Sequence, residues 1–426
     1  MEKSDYKIHI IGAGISGLIA AQVLENFGYC PTVLEATNEV GGRIKTDLVE
    51  GYKLDHGFQV LLSAYPAAKK YLNYKNLNLQ ELLPGASIFK EGKQQVIGDP
   101  LRKFSLLFST LFSSVGSFSD KLKVLKLNKA IQKKSLEAIF SSDEKTTLQY
   151  LKDFGFSDKM IANFFSPFFS GIFLEDQLET SSRMFEFVYK MFGEGTAMIP
   201  KDGIMEISNQ LKNNLKQTTI QLNTSVKSVK SNAITLENSE ELETHFTIIA
   251  TTPSTLISNL KNQEIIWKSC DTLYFTSDEK IIEKPLIGLI ADETKLVNNI
   301  FYHTSIPNSN KGNKQLLSVT VVKAHELSEK ELITVVSKEL TATCNIQNLT
   351  FLKRYQIKKA LPKLSNLQYE LSSTETQLTS TTFLAGDHLL NGSLNAAMIA
   401  GERAALGVIK TLEGSVILDE LTSDSI

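Results

Sequence analysis

Tyr6-Lys7-Ile8-His9-Ile10-Ile11, Gly12-Ala13-Gly14-Ile15-Ser16-Gly17, an apolar run to Phe27, then Pro31-Thr32-Val33-Leu34-Glu35: this stretch decides the fold. It reads as strand, glycine turn, helix, strand and acidic residue, the order of a dinucleotide-binding βαβ unit. Gly12 allows the tight strand-to-helix turn, Gly14 lets the backbone approach a pyrophosphate, and Gly17 lets helix and strand pack closely. The helix start offers free N–H groups and a positive dipole end to the phosphates. Glu35 lies 23 positions after Gly12, where a carboxylate accepts hydrogen bonds from an adenosine ribose. A carboxylate without a neighbouring arginine disfavours a 2′-phosphorylated cofactor. Gly41-Gly42-Arg43 adds free backbone N–H groups and a guanidinium for a diphosphate. Up to this point the site is open to NAD or FAD.

A chain of 426 residues is long for one core, so two domains are expected. Net charge of −2 excludes a basic nucleic-acid surface. The six histidines and three cysteines show no ligand spacing, so no metal is expected, and Cys30, Cys270 and Cys344 read as free thiols of a reducing compartment. The polar start, Met1 to Tyr6, holds no apolar segment for a cleavable signal and gives a cytoplasmic reading. No run is long enough to span a membrane. Leu106 to Val115, preceded by Arg102-Lys103, reads as a core or cavity helix, with peripheral membrane contact near 101–118 as the alternative.

Farther along, Gly51 to Leu61 reads as a strand and glycine turn, and Tyr65-Pro66 starts a helix. Leu122, Leu125, Leu127, Ile131 and Leu136 have helical apolar spacing. Asn163 to Phe173 is densely aromatic, either plain core or the wall of an apolar cavity. Gly193 to Gly203 reads as a glycine-rich loop before a helix from Met205 to Leu215. Four short strands are expected at Thr219–Leu222, Ser225–Val229, Ala233–Leu236 and Thr247–Ala250, forming an antiparallel meander, the last returning to the first sheet as a buried parallel strand. Strands and helices alternate over 265–365. Thr382 to Ala385 is a strand, followed by Gly386-Asp387-His388 and a small-residue helix from Leu394 to Lys410. Residues beyond Leu412 are expected to fray.

These pieces together resemble the flavin-dependent superfamily of monoamine oxidases, protoporphyrinogen oxidases and phytoene desaturases. Gly12 to Gly17 with Glu35 and Gly41-Gly42-Arg43 is similar to its N-terminal signature. Phe383 to Asp387, Ser393, Ala396 and Gly401 to Ala405 are similar to its C-terminal one. Lys358 to Pro362 and Ile199 to Ile204 resemble two intervening elements, with Asp202 where the second has a glycine. The resemblance implies an α/β fold: a Rossmann-like FAD-binding domain with an antiparallel meander, from 1–80, 195–255 and 365–415. A mixed α+β substrate domain, 81–194 and 256–364, is inserted in two excursions, and 416–426 is a tail.

By the same resemblance, Gly12, Gly14, Ser16 and Gly17 hold the FAD pyrophosphate, Glu35 the adenosine ribose, and Gly42 and Arg43 the diphosphate. The Val226 backbone holds adenine. Gly386 and Asp387 meet the ribityl chain or phosphate, and Ser393 and Ala396 begin the helix aimed at the flavin. Gly57, Phe58 and Gln59 face the isoalloxazine, with Gln59 near its hydride-accepting nitrogen. His56 and His388 border the flavin as candidate acids or bases, more often structural. Asp55 caps the Gly57 turn. Cys270 to Phe275 offers no lysine of the amine-oxidase type, and no cysteine precedes the last helix to tether the flavin. FAD is therefore expected to be noncovalent. The expected reaction is hydride removal from a hydrophobic, polyisoprenoid or porphyrinogen-like substrate, with oxygen or a quinone as acceptor. The alternatives are a redox-neutral reduced-flavin isomerase, an amine oxidase and a non-catalytic flavoprotein.

Overall fold

In the computed structural model, residues 2–98, 114–257, 260 and 264–414 are described. Five parallel strands form the first sheet, in the order β10 (Thr219–Gln221), β2 (Thr32–Leu34), β1 (Ile8–Ile11), β14 (Phe246–Ile249) and β20 (Thr382–Leu384). The inner strands β14 and β20 are buried throughout because both faces are covered, whereas the edge strand β10 is largely exposed. On one face Ile8, Ile10, Val33, Ile248 and Phe383 pack beneath helices α1 (Ile15–Asn26) and α11 (Leu394–Glu413). On the other, Ile11, Leu34, Ile249 and Leu384 meet a three-stranded antiparallel meander of β11 (Val226–Val229), β12 (Ala233–Leu236) and β13 (Glu241–Glu243). The meander therefore differs from expectation at both ends. Thr219–Gln221 belongs to the parallel sheet, and the third meander strand is the charged Glu241–Glu243, whose exposed outer residues hide it from a hydropathy reading.

The small residues of α11 serve close helix packing. A Cβ on Gly401 would stand 2.2 Å from the Ser16 carbonyl of α1, so only glycine lets the two helices meet there. The helix also continues past Leu412: Glu413 accepts from the Tyr29 hydroxyl and pairs with Lys3. The tail at 416–426 lies outside the described residues.

A larger seven-stranded sheet has the order β19 (Thr350–Pro362), β15 (Trp267–Ser277), β18 (Gln315–Val321), β17 (Val297–Tyr302), β16 (Ile287–Ile290), β7 (Gly85–Lys90) and β8 (Lys93–Gly98). Only the β16–β7 pair is parallel. The 265–365 stretch is thus dominated by antiparallel strands rather than alternating strands and helices. Leu273, Phe275, Val319 and Val321 face helix α10 (Glu329–Cys344) through Leu332, Val336 and Leu340.

A helical layer completes this half: α3 (Phe118–Lys133), α4 (Leu136–Phe140), α5 (Thr147–Asp153), α6 (Asp158–Met160), α7 (Ser166–Phe173) and α8 (Ser182–Glu194). In α3, Leu127 and Ile131 are buried as the spacing requires, whereas Leu122 and Leu125 are exposed. Most of the segment at 101–118 lies outside the described residues; Val115 within it is buried. No helix among the described residues is long and apolar enough to cross a membrane.

Two smaller sheets join the halves. One is the hairpin of β3 (Thr46–Val49) and β4 (Tyr52–Asp55). The other pairs β5 (Leu61–Leu62) and β6 (Leu79–Glu81) with β9 (Ala197–Pro200), a strand inside the expected 193–203 loop. Helices α2 (Pro66–Tyr71) and α9 (Glu206–Asn214) fall where expected. Cys30, Cys270 and Cys344 are free thiols.

Candidate functional site

The turn from β1 into α1 builds one end of the site. Gly12 has φ +101°, and its N–H donates to the Leu34 carbonyl at 2.8 Å. A Cβ on Gly17 would lie 2.0 Å from the Gly12 carbonyl, so that glycine provides the close helix–strand approach. Gly14 is the N-cap of α1, and no side chain caps the helix. Its first-turn N–H groups, which have no intrahelical acceptor, are left for an anion. The Ser16 hydroxyl is already spent on the Ala397 carbonyl at 2.8 Å, so this residue has only its backbone to offer. Glu35 is buried at the far end of β2. One carboxylate oxygen accepts from Ala13 N–H at 2.8 Å, and the other from the N–H and hydroxyl of Thr37.

A single cavity of about 1520 Å³ runs from Gly12, Gly14, Ser16 and Glu35, past Gly42 and Arg43, to His56, Gly57, Phe58 and Gln59. Gly386, Asp387, His388 and Ser393 line it as well. Three expected residues lie behind it. Gly17 packs against β1, Ala396 donates its N–H to the Ser393 hydroxyl that caps α11, and Val226 pairs with Leu236 at the start of the meander. The volume exceeds the roughly 300–1,000 Å³ usual for a small-molecule site, which suits a cofactor and a substrate side by side.

Arg43 and Asp387, expected to meet the cofactor separately, form an ion pair with each other. The guanidinium also donates to the Ala360 carbonyl at 3.1 Å and lies 5.2 Å over the Trp267 ring. Gln59 lines the cavity with its amide engaged by the chain itself. Its amide N–H groups donate to the His56 and Arg43 carbonyls at 2.9 and 3.1 Å, so the side chain buttresses the 56–59 loop. The His56 Nε2 lies 3.0 Å from the Asp47 carboxylate, and its ring stacks on Tyr355 at 4.3 Å. The ring lines the cavity wall between these two neighbours. Burial lowers the pKa of His388, which lies against Gly386. Asp55 does more than cap a turn. Completely buried, it accepts from the Thr46 hydroxyl at 2.6 Å and the Ile204 N–H at 3.0 Å. Its own carbonyl accepts from the Tyr274 hydroxyl at 2.9 Å. Burial pushes its carboxyl up to about 6.

The aromatic block divides between its two readings. Phe164, Phe168, Phe169 and Phe173 line the cavity, whereas Phe165 is buried in the core. A π-helical turn at Ile161–Phe165 sets that division by shifting the helical register just before α7. Lys268, two residues before Cys270–Phe275, is absent from the expected site residues. It lines the cavity, yet its ammonium is held by the Glu175 carboxylate, the Phe173 carbonyl at 3.0 Å and the Thr180 hydroxyl at 2.9 Å. Period-two alternation along β15, with Lys268, Cys270 and Thr272 on the cavity face, is the signal that would have found it. No cluster of metal-ligating side chains occurs among the described residues.

An uncapped helix start over a glycine turn, a buried carboxylate at the second strand end and a second helix aimed at one long cavity define a dinucleotide-dependent redox site of the flavin type. Residues 15–409 match the model of the flavin containing amine oxidoreductase family, and the chain belongs to that family. FAD is the cofactor this membership brings, and the residues at both ends of the cavity fit it. The chain is 26% identical over 170 residues to protoporphyrinogen oxidase 2, chloroplastic/mitochondrial, of Arabidopsis thaliana, covering 39% of this chain and 32% of that one. It is 32% identical over 132 residues to the L-amino-acid oxidase BmooLAAO-I of Bothrops moojeni, covering 30% and 26%. The matched part is about a third or less of each relative's length. Among solved structures, an oxidoreductase from Methanosarcina mazei superposes with TM-score 0.71 at 18% identity, over 96% of this chain and all of that one. Cyclohexylamine oxidase from Brevibacterium oxydans IH-35A superposes with TM-score 0.69 at 15% identity, over 96% and 100%. These two likenesses establish the fold.

Proposed function

We propose that this protein is a cytoplasmic oxidoreductase with noncovalent FAD. It removes a hydride from a hydrophobic, polyisoprenoid or porphyrinogen-like substrate, with oxygen or a quinone as electron acceptor. One observation carries the reading: a single cavity joins the nucleotide-type turn at Gly12–Gly14 to the apolar wall of Phe164, Phe168 and Phe169. FAD, when bound, supplies the redox chemistry, and the chain binds, orients and excludes water. The α1 N-terminus and Arg43 would take the diphosphate, and Glu35 would take the ribose. The α11 N-terminus, capped by Ser393, would offer its positive dipole end to the negative charge that gathers on a reduced flavin. Gln59 would hold the 56–59 loop in place against the flavin. The phenylalanines keep water from the substrate. With the Lys268 ammonium engaged by Glu175, a simple amine substrate is the weaker reading. Exposed Phe118 and Leu122 on α3, beside Leu125 at the cavity, extend the proposal to a substrate drawn from a membrane surface.

The test is a visible spectrum of the purified protein before and after anaerobic addition of polyisoprenoids, porphyrinogens and amines. Flavin absorbance that bleaches with one of the first two classes supports the reading. Absence of flavin, or bleaching by amines alone, overturns it.

A further inference from the structure

The cavity wall formed by the large sheet carries a buried polar row that neither cofactor binding nor apolar packing explains. Thr272 of β15 is in register with Thr320 of β18, and Thr320 with Asn299 of β17. All three line the cavity, and their relative exposures are 0%, 5% and 3%. Hydrogen bonds along the row have a direction. Asn298 Nδ2 donates to Asn299 Oδ1 at 2.9 Å, and Asn299 Nδ2 donates to Thr320 Oγ1 at 3.3 Å. A hydroxyl that accepts in this way still has its own proton to give. Beside it, the Thr272 Oγ1 is buried without a hydrogen-bond partner among the described residues. The chain of donors therefore ends on the Thr320 hydroxyl, and the unpartnered Thr272 hydroxyl lies buried beside it in the cavity wall.

Threonine is common in strands for its β-branched shape alone, and a buried hydroxyl is often satisfied by water. Shape does not explain three polar side chains in one row across three strands, all turned to the same cavity. A buried donor left unmade is costly, so a site built this way favours a ligand that completes it. We propose that Thr272 and Thr320 form a subsite for a hydrogen-bond acceptor oxygen, a carbonyl, on the otherwise apolar substrate. The proposal rests on the oxidoreductase reading and narrows its substrate class. A pure hydrocarbon leaves both hydroxyls unsatisfied, and no carboxylate stands in the row to pair with a cation.

The test uses the flavin-loaded protein and a shape-matched pair, cyclohexyl phenyl ketone and cyclohexylmethylbenzene, titrated by calorimetry. The ketone is expected to bind the parent protein at least tenfold more tightly. In Thr272→Val/Thr320→Val the ratio is expected to fall within twofold, with hydrocarbon affinity retained and thermal unfolding unchanged. Thr272→Ser, which keeps a hydroxyl, should retain the preference. A parent protein that binds the ketone no more tightly than the hydrocarbon overturns the subsite. So does a preference that survives the double substitution, the result expected if water satisfies the row or the ketone sits elsewhere. Protein purified without flavin would instead sink the oxidoreductase reading, and the calorimetric ratio would still be readable.

Discussion

The two ends of the cavity are built on different principles. The nucleotide end is mostly backbone, a turn at Gly12 and a helix start at Gly14, with one side-chain carboxylate, Glu35, all within one βαβ unit. The substrate end is made of side chains from distant segments, with Phe168 and Phe169 from α7 facing Thr272, Asn299 and Thr320 from three strands. Backbone recognition tolerates almost no added atom. Side-chain recognition tolerates substitution and is where specificity resides.

Substitution at each end, and at the joint between them, puts that contrast at risk. The largest effect is expected at the substrate end. Phe169→Ala removes a buried ring and should cost roughly 4 kcal/mol in chemical denaturation. Flavin content per folded molecule should stay at the parent level; loss of flavin would erase the distinction between the ends. Next comes the joint, Asp55, which ties the β3–β4 hairpin to the loop before α9. Its pKa is raised from 3.8 to about 6 by burial, so its contribution to stability is full below the unfolded value and lost as pH rises through 6. Stability attributable to this group should fall by about 3 kcal/mol between pH 3.5 and 7. Asp55→Asn, which keeps an acceptor for Thr46 and Ile204, should flatten that slope in denaturation curves across the range. An unchanged slope would mean that the carboxyl titrates as it does in water. The smallest stability effect, about 2 kcal/mol, is expected for Gly17→Ala, because the added Cβ meets the Gly12 carbonyl. Here the flavin should be lost while most of the fold survives. A variant with full flavin occupancy would show that the turn has more slack than its geometry allows.

Legibility followed the same division. The glycine turn and the return of Thr247–Ala250 to the first sheet were readable because each is a local demand on the backbone. Such demands leave particular residue types at particular spacings. The ion pair of Arg43 with Asp387 was not readable, since its partners are remote and each was assigned to the cofactor separately. The bonds made by Gln59, His56 and Lys268 escaped for a related reason. Residue type shows what a side chain can bond, and only its neighbours decide what it does bond.

The sequence by itself determined the family, the α/β class and the glycine turn between β1 and α1, because such a turn constrains backbone geometry within a few consecutive residues. Tertiary structure alone decided which phenylalanines face the cavity and which the core. It alone placed Thr219–Gln221 in the parallel sheet, and it alone set Thr272, Thr320 and Asn299 in one row. Those outcomes depend on strand register and helix phase, which arise only when segments far apart in the chain pack against one another.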